Sequence, residues 1–235
     1  MSERLTGKTV VVTGGTGGLG AAVVRAFVDS GAGVVVSWLS EAERDALRAD
    51  LGDRVRLVQA DVTDPEAVAR LFASAAEGTG RVDVLAQLVG GFTMAPIGET
   101  PPATWQRMIA MNATSTFLCA RAAVALMRPG GWGRIITVAA VPAVERGAAD
   151  MTAYAASKAA SLKLTQSLAR EVVQDGITVN AVVPSIIDTP ANRAAMPDAD
   201  TSTWLAPAAI ADVIVWLASD AAGIVTGTSV MLSRG

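Results

Sequence analysis

The chain predicts an α/β fold, a parallel sheet with helices on both faces. Three observations carry this. Residues 9–28 run from a β-branched strand through a glycine-rich turn into an apolar helix. Strand-like and helix-like stretches then alternate to the C terminus, as right-handed crossovers require. Of the 235 residues 51% are hydrophobic and only 17% charged, enough for a sheet buried on both sides. No repeat, low-complexity segment or linker interrupts the chain, so 1–235 is expected to form one domain.

After a short polar lead-in, Ser2–Gly7, the first strand is expected near Lys8–Thr13, because Val10, Val11 and Val12 suit a buried parallel strand. Gly14, Gly18 and Gly20 can adopt backbone angles closed to other residues and leave no Cβ before a ligand. A helix follows near Gly18–Ser30, and free N–H groups at a helix start attract phosphate. The null alternative is a bare tight turn; the flanking strand and helix favour a pyrophosphate cradle. Gly31-Ala32-Gly33 breaks the helix before a second strand at Val34–Val36. Glu41–Leu51 reads as an exposed helix and Val55–Val58 as the third strand. Asp64 or Thr63 caps the helix opened by Pro65, which ends near Gly78–Gly80. The fourth strand is expected over Asp83–Val89, ending in Gly90-Gly91. A helical region then spans Pro101–Arg128 with a break near Asn112. Arg134–Ala139 is the fifth strand, followed by a loop to Asp150 and a long helix over Thr152–Gln174. Ile177–Val183 is the sixth strand, stopped by Pro184. Asp188–Trp204 reads as irregular, and residues 188–206 as a substrate lid beyond the sheet's carboxyl edge. Pro207–Ser219 is a helix and Thr228–Leu232 the last strand.

Composition excludes several chemistries. Net charge is −3, so no basic footprint argues for nucleic acid. Histidine is absent, which removes Ser-His-Asp, Cys-His and His-based zinc chemistry. One cysteine, Cys119, permits neither an internal disulfide nor a cysteine metal cluster, and no metal site is expected. The apolar runs read as too short or too interrupted for a membrane span, and no signal peptide opens the chain. A reducing cytoplasmic location is the expectation. The low charge also suggests subunit contacts.

Tyr154 and Lys158 lie four apart on a predicted helix and so share one face. An ammonium near a phenol favours the phenolate, lowering its pKa from about 10. The pair could then pass a proton near neutral pH. Alone, such a pair is ordinarily packing and solvent contact. Beside the glycine turn, and at the start of the helix after strand five, it reads as catalytic.

Thr13-Gly14-x-x-x-Gly18-x-Gly20 with Tyr154-x-x-x-Lys158 resembles the short-chain dehydrogenase/reductase family over essentially the whole chain. The resemblance implies a Rossmann fold, a doubly wound seven-stranded parallel sheet with helices on both faces. It implies hydride transfer between a nicotinamide and a small-molecule substrate in a homotetramer or homodimer. Tyr154 and Lys158 would be catalytic, with Asn112 of Met111-Asn112-Ala113 holding a water that relays protons through the lysine. The glycine turn, Gly14, Thr16, Gly17, Gly18, Leu19 and Gly20, would hold the cofactor with Ser37, Trp38, Leu39, Asp61 and Val62. Val89, Gly90 and Gly91 after strand four, and Pro184, Ser185, Ile187 and Thr189 after strand six, would complete the site.

The chain departs from the family twice. A serine is expected after strand five, where this chain has Val138-Ala139-Ala140-Val141. Losing such a donor removes on the order of 100-fold or more in rate. Gln87-Leu88-Val89-Gly90-Gly91 replaces the usual Asn-Asn-Ala-Gly. The dihydropteridine reductase branch also lacks the serine and has Gly-Gly-aromatic there, like Gly90-Gly91-Phe92; Asp188 to Asp200, followed by Trp204, is similar to it as well. That resemblance implies a planar substrate with a conjugated C=N or C=O group, lined here by Ala140, Phe92, Met94 and Trp204. The alternatives are a general carbonyl or 3-oxoacyl reductase and a catalytically silent dinucleotide-binding sensor or assembly protein.

An acid ending strand two would bind the ribose of NAD(H). The chain has Ser37-Trp38-Leu39-Ser40 instead, which favours NADP(H) over NAD(H), with Ser37, Ser40 and Arg44 as candidates for the 2′-phosphate. The bland alternative is Trp38 stacking near adenine and Arg44 in solvent. Met108, Met111 and Met127 read as packing, and Trp105, Trp132 and Trp216 as core or interface anchors. Asp188 reads as a helix cap.

Overall fold

The structure, a computed structural model, describes residues 5–234. The strands are β1 (Thr9–Thr13), β2 (Gly33–Trp38), β3 (Val55–Gln59), β4 (Val84–Gln87), β5 (Gly133–Val138), β6 (Ile177–Pro184) and β7 (Ser229–Leu232). The helices are α1 (Gly20–Asp29), α2 (Glu41–Leu51), α3 (Pro65–Ala76), α4 (Pro102–Ile109), α5 (Ser115–Met127), α6 (Val141–Val144), α7 (Thr152–Val172), α8 (Pro190–Ala195) and α9 (Pro207–Leu217). All strand pairs are parallel, in one seven-stranded sheet of order β3-β2-β1-β4-β5-β6-β7. This is the doubly wound Rossmann arrangement expected from the sequence.

Strand alternation divides the core. Val10, Val12, Val84, Ala86 and Ile136 face α1, α2 and α9, while Val11, Leu85 and Ile135 face α3, α5 and α7. The order reverses between β1 and β4, so their carboxyl ends open a crevice. Thr13 and Gln87 are paired in register at its floor, and the Thr13 hydroxyl donates to Gln87 Oε1 at 2.7 Å.

Several elements differ from their expected form. Only residues 5–7 of the lead-in are described, and Leu5 is a core residue at 1% exposure, its N–H bonded to Ser30 O. Helix α1 begins at Gly20, since Gly17 N–H turns back to Gly14 O and holds the loop open one turn longer. The fourth strand is shorter than expected, because past Gln87 the backbone bends into the crevice: Leu88 N–H bonds Thr13 O and Thr13 Oγ1. The loop after β5 contains α6, and Asp188–Trp204 contains α8, started by Pro190 and capped by Thr189 Oγ1 on Asn192 N. Asp188 does not cap; it pairs with Arg193 at 2.8 Å.

The break near Asn112 is a π turn, Ala110–Thr114, in which Ser115 N–H bonds Ala110 O. By length and composition Pro102–Gly130 is long and apolar enough to cross a membrane, contrary to the expectation. In the fold, α5 from this run packs Cys119, Ala123 and Met127 against the sheet. Trp105 and Trp216 are 43% and 38% exposed, so neither is a core anchor.

Candidate active site

The glycines after β1 are required for different reasons. Gly14 has φ +63°, the left-handed region, and its N–H donates to Ser37 Oγ at 3.3 Å. Gly18 and Gly20 do not have positive φ, which corrects the expectation; they are excluded from carrying side chains by contact. A Cβ on Gly20 would lie 2.1 Å from Gly14 O, and one on Gly18 2.9 Å from Thr189 Cγ2. Gly15 belongs with them, for its Cβ would meet Val36 Cγ1 at 2.6 Å. The loop is therefore packed against β2, α1 and the segment after β6.

Beyond this loop lies a cleft of about 620 Å³. Of the expected cofactor residues it brings together Gly14, Thr16, Gly17, Gly18, Leu19, Gly20, Ser37, Trp38, Leu39, Asp61, Val62, Val89 and Gly90. Helix α1 opens onto it without a side-chain cap. In the first turn of α1, Ala21 N–H bonds Gly17 O and Val23 N–H bonds Leu19 O; a helix start with no side-chain cap on a glycine cradle still fits a pyrophosphate. Ser40, a candidate for the 2′-phosphate, also lines the cleft, as do Glu43, Ala60, Thr63, Leu88, Arg107, Ala110 and Met111, which the sequence did not mark as cofactor contacts. The signal for Glu43 was present: Ser40-x-x-Glu43 is a capping pattern that fixes where α2 begins.

Of the groups named for a 2′-phosphate, Arg44 is engaged elsewhere, while both serine hydroxyls accept a backbone N–H and keep an O–H to donate. Ser37 Oγ accepts from Gly14 N–H, and Ser40 Oγ caps α2 through Glu43 N–H at 3.4 Å. Arg44 lies 4.6 Å over the Trp38 ring and bonds Asp45 at 2.8 Å, which holds its pKa above the usual value. Asp61 Oδ1 accepts from Thr63 N–H and Oγ1–H at 2.9 and 2.7 Å.

The second half of the site adjoins the first at Gly90. A Cβ there would sit 2.7 Å from Asn112 Oδ1 and 2.9 Å from Lys158 Nζ. Lys158 is 7% exposed, and its Nζ donates to Val138 O at 2.8 Å. Burial pulls its pKa down from 10.5 to about 8. Asn112 is fixed by a reciprocal pair with Gly91: Gly91 N–H to Oδ1 and Nδ2–H to Gly91 O, each 3.0 Å. Nδ2 also donates to Ser157 Oγ at 2.9 Å, and Ser157 in turn donates to Tyr154 O at 2.7 Å.

Tyr154 corrects one expectation. Its phenol is pushed above the ordinary pKa by burial, and Lys158 spends its ammonium on Val138 O. The Phe92 ring meets Tyr154 edge to face, with centroids 4.9 Å apart and planes at 76°. Ala139 and Ala140 are buried where the family serine is expected. Gln87 is no substitute, for Thr13 Oγ1 bonds its carbonyl and its amide donates to Ser115 Oγ at 3.2 Å. Ser185 is half-buried with its N–H on Leu232 O, directly after Pro184 at the end of β6. Ile187 bridges to Leu205 and accepts Thr189 N–H. Met94 is 57% exposed. Trp204 is 4% exposed, and its N–H bonds Thr201 O.

Comparison with known proteins agrees with this geometry. Residues 8–200 match the family described as short chain dehydrogenase. The chain is 36% identical to cis-4-hydroxycyclohexanecarboxylate dehydrogenase of Sinomonas cyclohexanicum, over 100% of this chain and 98% of that protein. It is 34% identical to 3-alpha-(or 20-beta)-hydroxysteroid dehydrogenase of Mycobacterium tuberculosis, over 100% of this chain and 91% of that one. Among solved structures, gox2181 superposes with TM-score 0.90 at 30% identity, covering 98% of this chain and 95% of that one. A dehydrogenase/reductase from Sinorhizobium meliloti 1021 superposes with TM-score 0.86 at 32% identity, covering the same shares.

Proposed function

The chain belongs to the short-chain dehydrogenase family and is an NAD(P)-dependent oxidoreductase; on that premise we propose that it moves hydride between the nicotinamide and a carbonyl, or its alcohol, on a small ring-bearing substrate, with Tyr154 carrying the proton. The observation that carries this reading is the meeting of the two half-sites at Gly90, which lines the nucleotide cleft and touches Asn112 and Lys158. The bound nicotinamide supplies or accepts the hydride. The α1 start and the glycine loop hold the pyrophosphate, with Thr189 packed against Gly18. As hydride reaches the carbonyl carbon, the Tyr154 phenol gives its proton to the oxygen and becomes phenolate. A raised phenol pKa keeps that proton in place until it is needed. The buried Lys158 ammonium favours the phenolate formed, and Asn112 orients Gly91 and Ser157 beside it. Ring substrates are supported by the names of the two relatives above.

A dihydropteridine reductase-like reading, with a conjugated C=N or C=O acceptor, is favoured by one feature. Ala139-Ala140 supplies no hydroxyl to a ketone, while Phe92, edge-on to Tyr154, offers a ring to a planar substrate. The case for NADP(H) rests on the missing carboxylate at the end of β2, and it is weakened by the engagement of Arg44 with Asp45 and the Trp38 face. A cytoplasmic homotetramer or homodimer fits the buried free Cys119 and exposed apolar side chains such as Phe117 and Ile224.

Oxidation of NADH and NADPH with a cyclic ketone and with quinonoid dihydropterin tests the proposal. Turnover is expected with at least one pair. Tyr154→Phe should then lose roughly a thousandfold in kcat with dinucleotide affinity retained. Dinucleotide binding without any turnover would support a silent sensor or assembly protein instead.

A further inference from the structure

We infer that Glu43 selects the cofactor, its carboxylate receiving the adenosine ribose hydroxyls of NAD(H) and repelling the 2′-phosphate of NADP(H). The inference rests on the proposed dinucleotide site and names which form that site takes. Glu43 lies in the first turn of α2, directly after the end of β2, and lines the same cleft as Ser37, Trp38 and the glycine loop. In a capping pattern of this kind the glutamate ordinarily reaches back to the N–H of the capping serine. Here only half of that exchange is made, Glu43 N–H to Ser40 Oγ. The carboxylate turns across the cleft instead, and its Oε2 accepts the Thr16 hydroxyl at 3.0 Å. A negative charge is thereby held between the end of β2 and the pyrophosphate loop, one turn later than the acid that ends this strand in NAD-binding Rossmann sites.

The chemistry at that point discriminates. A carboxylate only accepts hydrogen bonds, and a ribose diol offers two donors. A 2′-phosphate offers acceptors and two further negative charges, which a carboxylate repels. The nearby guanidinium of Arg44 is committed to Asp45 and to the Trp38 face. Arg107 also lines the cleft, but from α4, beside Ala110 and Met111 and not from the β2–α2 side. Because Glu43 is exposed, the repulsion is screened, so a preference of about tenfold is expected at low salt, shrinking as salt is added.

The test is equilibrium binding of NADH, NADPH, ADP-ribose and 2′-phospho-ADP-ribose to the whole protein. Wild type should bind NADH and ADP-ribose about tenfold more tightly than their 2′-phosphorylated forms. Glu43→Gln should bring each pair within about threefold, mainly by gaining affinity for the phosphorylated member. Glu43→Lys should reverse the order. Circular dichroism establishes that each variant is folded. Wild type binding NADPH as tightly as NADH, or a ratio that Glu43→Gln leaves unchanged, overturns the inference. A ratio that only Arg107→Gln alters does the same. Failure of wild type to bind either dinucleotide would instead overturn the dinucleotide site itself.

Discussion

The two ends of the sheet are built on opposite principles. At the amino ends of the strands, charges find partners, although the buried Thr178 hydroxyl at the start of β6 has none. Asp83, just before β4, accepts Thr9 N–H at 2.8 Å and pairs with Lys8 and Arg81 at 3.4 and 3.3 Å. Lys8 and Arg134 rest on the Trp132 ring at 3.5 and 4.2 Å, and its indole N–H donates to Asp220 at 3.0 Å. Buried Arg134 spends its guanidinium on Gly133 O, Gly176 O and Ser219 O. At the carboxyl ends, buried titratable groups lie without an opposite charge beside them. Helix α1 starts uncapped, a lysine is buried far below its ordinary pKa, and a phenol meets a ring edge. One rim is laced with ion pairs, and the other buries a lysine and a phenol with no charge to offset them.

The largest expected effect that would break this contrast is at the ion-paired rim. Asp83 is 6% exposed at its side chain and serves two cations and a backbone N–H. Asp83→Ala should lower unfolding free energy by about 2 to 3 kcal/mol, chiefly by leaving the buried Thr9 N–H without its acceptor, since Lys8 and Arg81 keep access to water. Dinucleotide affinity of the remaining folded protein should not change. Urea unfolding and a binding titration measure both, and a variant of wild-type stability that has lost affinity would invert the assignment of the two rims.

The unequal legibility of the rims has a physical basis. The glycine turn, Tyr154-x-x-x-Lys158 and the break at Asn112 were readable because each is a local pattern with one geometric solution. Gly14 was read correctly as a φ-positive residue, but Gly18 and Gly20 were given the same reason when contact with Thr189 and Gly14 governs them. Contacts between distant segments leave no spacing in the sequence. For the same reason the Asp83–Trp132–Asp220 group leaves no signal in the sequence. The pKa of Tyr154 was expected in the wrong direction because adjacency on a helix face says nothing of burial or of Val138 O as a rival partner for Lys158.

At the other rim the next largest effect should have the opposite sign. Moving the Lys158 pKa from 10.5 to about 8 implies that its burial destabilises the cofactor-free fold by about 3 kcal/mol at neutral pH, at about 1.36 kcal/mol per unit. The sign follows from proton binding: between about pH 8 and 10.5 the unfolded chain holds the proton and the folded chain does not, so stability rises with pH there. Below about pH 8 the full penalty is present. Lys158→Met should therefore raise stability at pH 7 by about 2 kcal/mol, the Val138 carbonyl losing about 1 kcal/mol of hydrogen bonding. The gap should close above pH 10, while turnover is lost. Thermal unfolding of both proteins across pH 7–10.5 reads the difference. A variant less stable than wild type at pH 7 would place Lys158 among the satisfied groups.

The smallest effect sharpens the contrast at a single side chain. The protein has one tyrosine, so phenolate absorbance near 295 nm reports Tyr154 alone. Wild type should titrate above the ordinary value of about 10, because burial disfavours the charged phenolate. Part of that burial comes from the Phe92 ring, itself 59% exposed and edge to face with Tyr154. Phe92→Ala admits water to the phenol and should move the titration down toward 10, with little change in unfolding free energy since little of the ring is buried. Phe92→Leu restores bulk without the ring and should fall between. If the phenol titrates identically in all three proteins, its surroundings are set by the α7 backbone and Ser157. The carboxyl-end rim would then be as fully determined by packing as the amino end, and the difference between them would reduce to the uncapped helix and the buried lysine.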